Sequence, residues 1–294
     1  ICLKGETIGL AVIAELPLVV INVQRAGPST GMPTKTEQAD LFLAMYGRNG
    51  ESPVPVLAPS TPGDCFFTTY EACRIALKYM TPVFILTDAF LANGSEPWMI
   101  PSLEDIPPID VSYAETNDGP YMPYERDEET LARRWAIPGM SGLEHRIGGL
   151  EREHISGNIS YDPDNHDLMV RLRAEKVAGM TREIPPIEVY GDTTGDLLVL
   201  GWGSTFGAIR TSVEALRSEG KSVSHAHLKW LNPLPADLGE NLLKFQKVLI
   251  PEVNSGQLIK LIRSEFLIDA EGLNLVRGKP FRKSQIISKV KEIL

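Results

Sequence analysis

The chain has 294 residues, 43% apolar and 23% charged, enough for a sizeable core and about two domains and too apolar for a disordered chain. Its 29 Lys and Arg stand against 38 Asp and Glu, and the resulting formal charge of -9 disfavours sequence-independent binding of nucleic acid, which rests on cations neutralising phosphate. No stretch reaches the roughly 18 consecutive apolar residues of a membrane helix.

Three cysteines, Cys2, Cys65 and Cys73, make no disulfide framework and no C-x-x-C metal or cluster spacing. Sparse, odd-numbered cysteine fits a reducing cytoplasm. The opening Ile1-Cys2-Leu3-Lys4-Gly5-Glu6 is neither an initiator nor a signal peptide, so the sequence is expected to begin inside a larger polypeptide.

In chain order, residues 7–16 read as a small-residue apolar helix ending at Pro17. Residues 18–23, Leu-Val-Val-Ile-Asn-Val, read as a strand whose lack of alternation predicts a parallel sheet covered on both faces. A Gly/Pro/Ser/Thr loop over 25–34, a helix over 35–45 and a loop at 47–51 lead to a strand around 54–58. Thr61-Pro62-Gly63-Asp64 reads as a turn and cap before a helix over 65–79, and 82–87 is the next strand. Repeated β-α-β units of this kind predict a doubly wound α/β domain.

From 95 to about 161 the pattern loosens into Pro, Gly and mixed charge, with a short helix expected at 129–135. A loop this long points to a functional excursion, read here as an arm that grips a partner subunit. A polar helix over 167–182 and a linker over 184–195 follow. The second α/β unit has strands at 196–201, 222–227 and 247–252, and helices at 205–219 and 255–266. The expected organisation is therefore a first domain over 1–183, a linker over 184–195 and a smaller domain over 196–294.

Four constellations invite a chemical reading. Gly27-Pro28-Ser29-Thr30-Gly31 matches the G-x-S-x-G nucleophile elbow of serine hydrolases, but Arg25-Ala26 separate it from the strand and Pro33 interrupts an immediate helix. Gly31 to Thr36 ends in Lys-Thr like a P-loop, yet Thr34 stands where a P-loop needs Gly, so a P-loop nucleotidase is rejected. Gly201-Trp202-Gly203-Ser204-Thr205-Phe206-Gly207 opens a helix after a strand, but its third Gly is one residue late and no ribose-binding acid follows, which favours tight strand–helix packing over a dinucleotide site. His225 and His227 share a strand face without the further ligands that zinc needs.

Arg25 is different. It directly follows a strand, where doubly wound sheets place ligands, and a guanidinium pairs bidentately with a carboxylate. The hydroxyls of Ser29 and Thr30 complete a candidate anion pocket. Capping of a surface loop is the competing role for Arg25.

Together these segments acquire a family. The run Val23-Gln24-Arg25-Ala26-Gly27-Pro28-Ser29-Thr30-Gly31-Met32-Pro33-Thr34-Lys35-Thr36-Glu37-Gln38-Ala39-Asp40-Leu41 resembles the signature of the α subunit of 2-oxoacid:ferredoxin oxidoreductases, nearest the 2-oxoglutarate branch. Gly47-Arg48-Asn49-Gly50-Glu51, Leu86-Thr87-Asp88-Ala89-Phe90 and Glu252-Val253-Asn254-Ser255-Gly256-Gln257 resemble further family segments, in the expected order. The resemblance implies a doubly wound pyrimidine-type domain of a thiamine-diphosphate enzyme followed by a smaller transketolase C-terminal-like α/β domain. It implies an oxidoreductase that converts a 2-oxoacid and coenzyme A to acyl-CoA and carbon dioxide, succinyl-CoA for 2-oxoglutarate, and passes electrons to ferredoxin.

The same resemblance assigns thiamine diphosphate with Mg2+ and a [4Fe-4S] cluster as cofactors, held largely by a separate β subunit in an α–β hetero-oligomer. It maps the substrate-carboxylate arginine onto Arg25. The glutamate that activates the cofactor is expected upstream of residue 1, so no catalytic residue is assigned, Glu6 included. A five-carbon dicarboxylate needs a second cation. Arg48 and Lys35 are the candidates by charge, with loop capping the competing role for Arg48. A serine hydrolase using Ser29 and a non-catalytic scaffold subunit are the alternative functions.

Overall fold

The computed structural model describes residues 1–116 and 119–294, so the excursion expected over 95–161 is described except at 117 and 118. The elements run α1 (Gly5–Ile13), β1 (Leu18–Gln24), α2 (Leu41–Tyr46), β2 (Val56–Leu57), α3 (Asp64–Tyr79), β3 (Pro82–Asp88), α4 (Ala89–Asn93) and α5 (Pro163–Gly179). They continue as β4 (Val189–Tyr190), β5 (Gly195–Trp202), α6 (Phe206–Ser218), β6 (Val223–Leu228), β7 (Trp230–Asn232), α7 (Leu238–Leu243), β8 (Phe245–Glu252), α8 (Leu258–Phe266), β9 (Glu271–Asn274) and α9 (Lys283–Ile293). No described helix is long and apolar enough to cross a membrane.

One sheet has the order β1-β3-β2-β7, parallel except for β7, and the other has the order β4-β6-β5-β8-β9, parallel except for β4. All seven residues of β3 are buried. Its alternating side chains serve two layers, because Val83 and Ile85 pack with Ile75 and Tyr79 of α3 and with Val177 and Met180. Phe84 and Leu86 enter a core shared with Leu198, Leu200, Val248 and Ile250 of the second sheet. The opposite face of that sheet, Leu197, Val199 and Leu249, packs on Ile209 and Val213 of α6 and on Ile286 and Val290 of α9. Layered α/β packing follows from strands that are apolar on both faces.

Three expectations need correction. First, β1 is an edge strand, with Ile21 54% and Val23 49% exposed, because no described strand pairs along its outer side. Second, no helix forms over 129–135. The Asp127 carboxylate accepts the amides of Glu129 (3.1 Å) and Thr130 (2.8 Å), and Leu131 turns left-handed at φ 56°, so the chain closes an Asx-type turn instead. Third, the helix expected from residue 35 begins only at Leu41, because the Gln38 N–H is bonded to Val253 O rather than within a helix and Ala39 and Asp40 form a turn.

Elsewhere the excursion is a folded arm tied to the body by a buried charge cluster. Glu15, 1% exposed, binds Arg126 and Lys176 with its carboxylate and accepts Arg133 Nε at its backbone carbonyl, at 3.3 Å.

Candidate functional site

The signature loop leaves the carboxyl end of β1, whose Gln24 lies level with Asp88 at the end of β3. Buried Gln24 fixes the exit, donating to Thr87 O (3.3 Å) and accepting from Asp40 N (3.0 Å). Ala26 then closes the loop from both sides. Its amide donates to Lys35 O and its carbonyl accepts Met32 N, each at 2.9 Å. Gly31 is required here, since at φ 53° an added Cβ would lie 1.9 Å from Ala26 O. Glu37 adds a second tie through Gly27 N, at 3.2 Å.

Behind the loop, residues 36–38 are buried against the second sheet. Strand β5 is followed through α6 to β6 on one side, and β8 lies on its other side, so the β5/β8 boundary is the switch point where doubly wound sheets leave a ligand crevice. In this chain Gln38 fills it. Its Nε2 donates to Trp202 O at 2.8 Å, and its Oε1 accepts Val253 N at 3.0 Å. Its backbone N–H donates to Val253 O (2.9 Å), and its carbonyl accepts Asn254 Nδ2 (2.8 Å). Gln257 extends the clamp, donating to Ala39 O (2.7 Å) and accepting Phe42 N (3.0 Å).

The clamp is itself braced. The fully buried Glu252 carboxylate accepts the Leu258 (2.8 Å) and Ile259 (3.1 Å) amides at the start of α8, together with Asn254 Nδ2 (2.9 Å). Asn254 Oδ1 in turn holds Gly256 N (2.7 Å) and Gln257 N (3.2 Å), which delays the expected helix start to Leu258. Gly203, at φ 58°, is small because Gln38 Nε2 lies 2.7 Å from where a Cβ would stand. The glycine run after β5 thus admits a side chain from the loop between β1 and α2.

On this clamped frame the candidate side chains divide. Arg25, Ser29, Thr30 and Lys35 are exposed and make no side-chain hydrogen bond or ion pair among the described residues. The Lys35 stem rests on Gly278, which places the loop beside the segment between β9 and α9. Arg48 is engaged locally. Its guanidinium donates to Ala44 O (2.7 Å), Met45 O (3.2 Å), Ser52 O (2.6 Å) and Ser52 Oγ (3.2 Å), and it stands 5.3 Å from the Phe84 ring centroid. That is a helix C-terminal cap on α2. Ser29 sits at φ 56° in the loop, far from the next helix at Leu41, so it lacks the strand–turn–helix setting of a hydrolase nucleophile.

Asp88 ends β3 and caps α4, accepting Phe90 N (2.8 Å) and Leu91 N (3.2 Å). Burial pushes its carboxyl upward. Sequence reasoning quoted Gln38, Glu252, Asn254 and Gln257 only as family letters; their role as a clamp depends on two segments more than 200 residues apart meeting.

A two-layered, mostly parallel α/β frame with a polar loop at a strand's carboxyl end is the architecture of thiamine-diphosphate-binding proteins, and residues 1–163 match the family described as pyruvate flavodoxin/ferredoxin oxidoreductase, thiamine diP-binding. The chain belongs to that family. It is 56% identical over 288 residues to the 2-oxoglutarate oxidoreductase subunit KorA of Mycobacterium tuberculosis, covering 97% of this chain and 44% of that protein. The 2-oxoacid:ferredoxin oxidoreductase 2 subunit alpha of Aeropyrum pernix is 32% identical, with 99% of this chain and 46% of that one covered. Among solved structures, the 2-oxoglutarate:ferredoxin oxidoreductase of Magnetococcus marinus with 2-oxoglutarate, coenzyme A and succinyl-CoA bound superposes with a TM-score of 0.94 at 37% identity, over 99% of this chain and 51% of that one. The chain thus spans about half the length of the curated relatives named here.

Proposed function

We propose that the chain is the α part of a thiamine-diphosphate-dependent 2-oxoacid:ferredoxin oxidoreductase acting on 2-oxoglutarate in the cytoplasm, with a β subunit as partner. The overall step is 2-oxoacid plus coenzyme A plus two oxidised ferredoxins giving acyl-CoA, carbon dioxide, one proton and two reduced ferredoxins. The observation that carries the reading is the loop itself. Its backbone is bonded on both sides, while Arg25, Ser29, Thr30 and Lys35 keep their polar groups unpaired among the described residues, at the end of a parallel strand.

In this reading Arg25 forks onto the substrate's 1-carboxylate, and the Ser29 and Thr30 hydroxyls donate to the same anionic end. Lys35 meets the distal carboxylate, and Arg48 acts as a cap. Holding both ends fixes the 2-oxo carbon for attack. Thiamine diphosphate, when bound, supplies the electron sink for decarboxylation.

The residues described here do not themselves form a cradle for a metal or cluster. Among them no three His, Cys, Asp or Glu converge, and the carboxylates of Glu37, Asp88 and Glu252 are engaged by N–H groups. We therefore assign Mg2+ and the [4Fe-4S] cluster to the β subunit, with coenzyme A and ferredoxin reached through the complex. The activating acid is assigned to none of the residues present. We also divide the chain into units at 1–183 and 196–294 joined by the linker 184–195, with β7 of the second lent to the sheet of the first.

The test uses the intact protein with its β subunit and follows 2-oxoglutarate- and CoA-dependent reduction of a low-potential dye. Arg25→Ala is expected to remove a desolvated charge pair, about 2–5 kcal/mol, which lowers kcat/KM by about thirty-fold to several thousand-fold. An unchanged kcat/KM would refute the assignment.

A further inference from the structure

The net charge of -9 reverses near the end of the sequence, where residues 272–291 hold six Lys and Arg and no Asp or Glu. Two of the six are paired, Lys289 with Glu271 (3.5 Å) and Glu292 (2.7 Å), and Lys291 with Glu219 (2.7 Å). The other four, Arg277, Lys279, Arg282 and Lys283, are exposed and make no side-chain hydrogen bond or ion pair among the described residues.

This row of cations is fixed at both ends. The Leu275 amide donates to Glu252 O at 3.0 Å, and Ser212 Oγ donates to Lys283 O at 3.2 Å. The side chains of Leu275 and Phe281 are buried with Ile286 and Val290. Gly278, at φ 62°, brings the row against the signature loop, since a Cβ there would stand 2.9 Å from Lys35 Cβ and 3.5 Å from Met32 Cε. Lys35 O in turn accepts the Ala26 amide, so the row abuts the loop that carries Arg25 and Lys35, both exposed and unpaired among the described residues.

Like charges fixed side by side repel, and an anionic partner relieves that repulsion. The acids that touch these two segments are already engaged. Glu252 accepts amides at the start of α8, Glu37 accepts Gly27 N, and Glu271, Glu292 and Glu219 hold the two paired lysines. Four side chains spread over seven residues exceed the reach of one carboxylate or phosphate. They match the rim of a protein interface, where charge stays solvated and complementary. The loop indicates which protein. In the function proposed above it meets substrate where the β subunit brings the cofactor, and a segment in contact with the loop borders that same meeting.

We propose that residues 277–283 dock an acidic rim of the β subunit and steer it onto the signature loop. The inference rests on the α–β reading above and adds to it the surface that guides assembly. Steering of this kind weakens as salt screens it.

The test uses the intact protein co-expressed with its β subunit. p-Benzoylphenylalanine is placed at position 279, or at 277 in a second variant, and the irradiated complex is digested for mass spectrometry. A cross-link to an Asp- or Glu-rich peptide of β is expected. Cross-links only within the same chain, to a second copy of it or to ferredoxin would overturn the proposal, as would none at either position. A second measurement is the α–β dissociation constant at low and high salt. Arg277→Glu combined with Lys279→Glu is expected to raise Kd at least about tenfold at roughly 50 mM salt and much less at roughly 500 mM. Arg277→Lys combined with Lys279→Arg should keep the parental Kd, which a loss of local packing would not allow. Equal Kd for the charge-reversed and parent complexes at low salt would refute steering. Failure of the enzymatic reading shows separately, as a complex that cross-links yet reduces no dye, whereas a complex that turns over without the cross-link sinks the docking surface alone.

Discussion

Gln38→Ala tests whether the clamp holds the signature loop. Gln38 is fully buried, and its amide bridges Trp202 O and Val253 N at 2.8 and 3.0 Å. Truncation leaves the buried Val253 N–H without a partner, at about 1–3 kcal/mol, while Trp202 O keeps its bond from Thr205 Oγ1 at 2.8 Å. For a chain of this size that corresponds to a fall of about 2–5 °C in Tm. Thermal unfolding of the intact protein, followed by far-UV circular dichroism, measures it. The same variant should lose kcat/KM for 2-oxoglutarate while retaining secondary structure, because the loop is freed from its anchor without touching Arg25. Gln38→Glu keeps the size and the acceptor but removes the donor to Trp202 O and buries a charge, so it should be no better than alanine. A Tm within about 1 °C of the parent for Gln38→Ala would show that the bridge contributes little and refute the reasoning.

Other expectations follow from the same geometry. Glu15→Gln leaves Arg126 and Lys176 buried without their carboxylate and should cost about 3–5 kcal/mol in a urea unfolding series; a shift below about 1 kcal/mol would count against the cluster. Burial raises the Glu15 carboxyl, but Lys176 and Arg126 outweigh it and hold the group at about 2 against an ordinary 4.5, so the unfolded chain binds more protons between those pH values. Its contribution, about 3 kcal/mol, is therefore complete above pH 4.5 and lost as pH falls through about 2, which near-UV dichroism on acid titration should reveal as a weaker pH dependence in Glu15→Gln. Gly31→Ala should sharply reduce turnover with helix content intact, since its Cβ collides with Ala26 O; wild-type kinetics would contradict the loop geometry. Arg48→Ala should lower stability by about 1–3 kcal/mol while leaving the KM for 2-oxoglutarate unchanged, and the reverse pattern would return Arg48 to the substrate site.

How much of this was legible in the sequence varies by feature. The long central strands and helices were readable because apolar runs and caps are local, and β3, β5, β6 and β8 lie within two residues of their expected positions. Short or polar elements escaped. Strand β7 is only Trp230–Asn232, and it exists because β2 offers an edge to pair with, which no window of sequence contains. Strand β9 and helix α9 were missed for similar reasons, since their residues pack on a sheet already built. The arm's expected helix failed because an Asx turn at Asp127 satisfied the backbone first.

For the site, the sequence by itself determined the chemistry on offer: a guanidinium, two hydroxyls and an ammonium on a glycine-pinned loop after a strand, in an order that marks the family. Which cation is available was decided by tertiary structure alone, because Arg48 finds the carbonyls at the end of α2 and Arg25 finds no partner among the described residues. The fate of the second sheet's crevice was likewise decided by the fold. Gln38 and Val253 are 215 positions apart, and only the shared core between the sheets brings that side chain into the switch point. Local pattern specifies what each segment can do, and the burial of polar groups specifies which of those capacities remain free for a ligand.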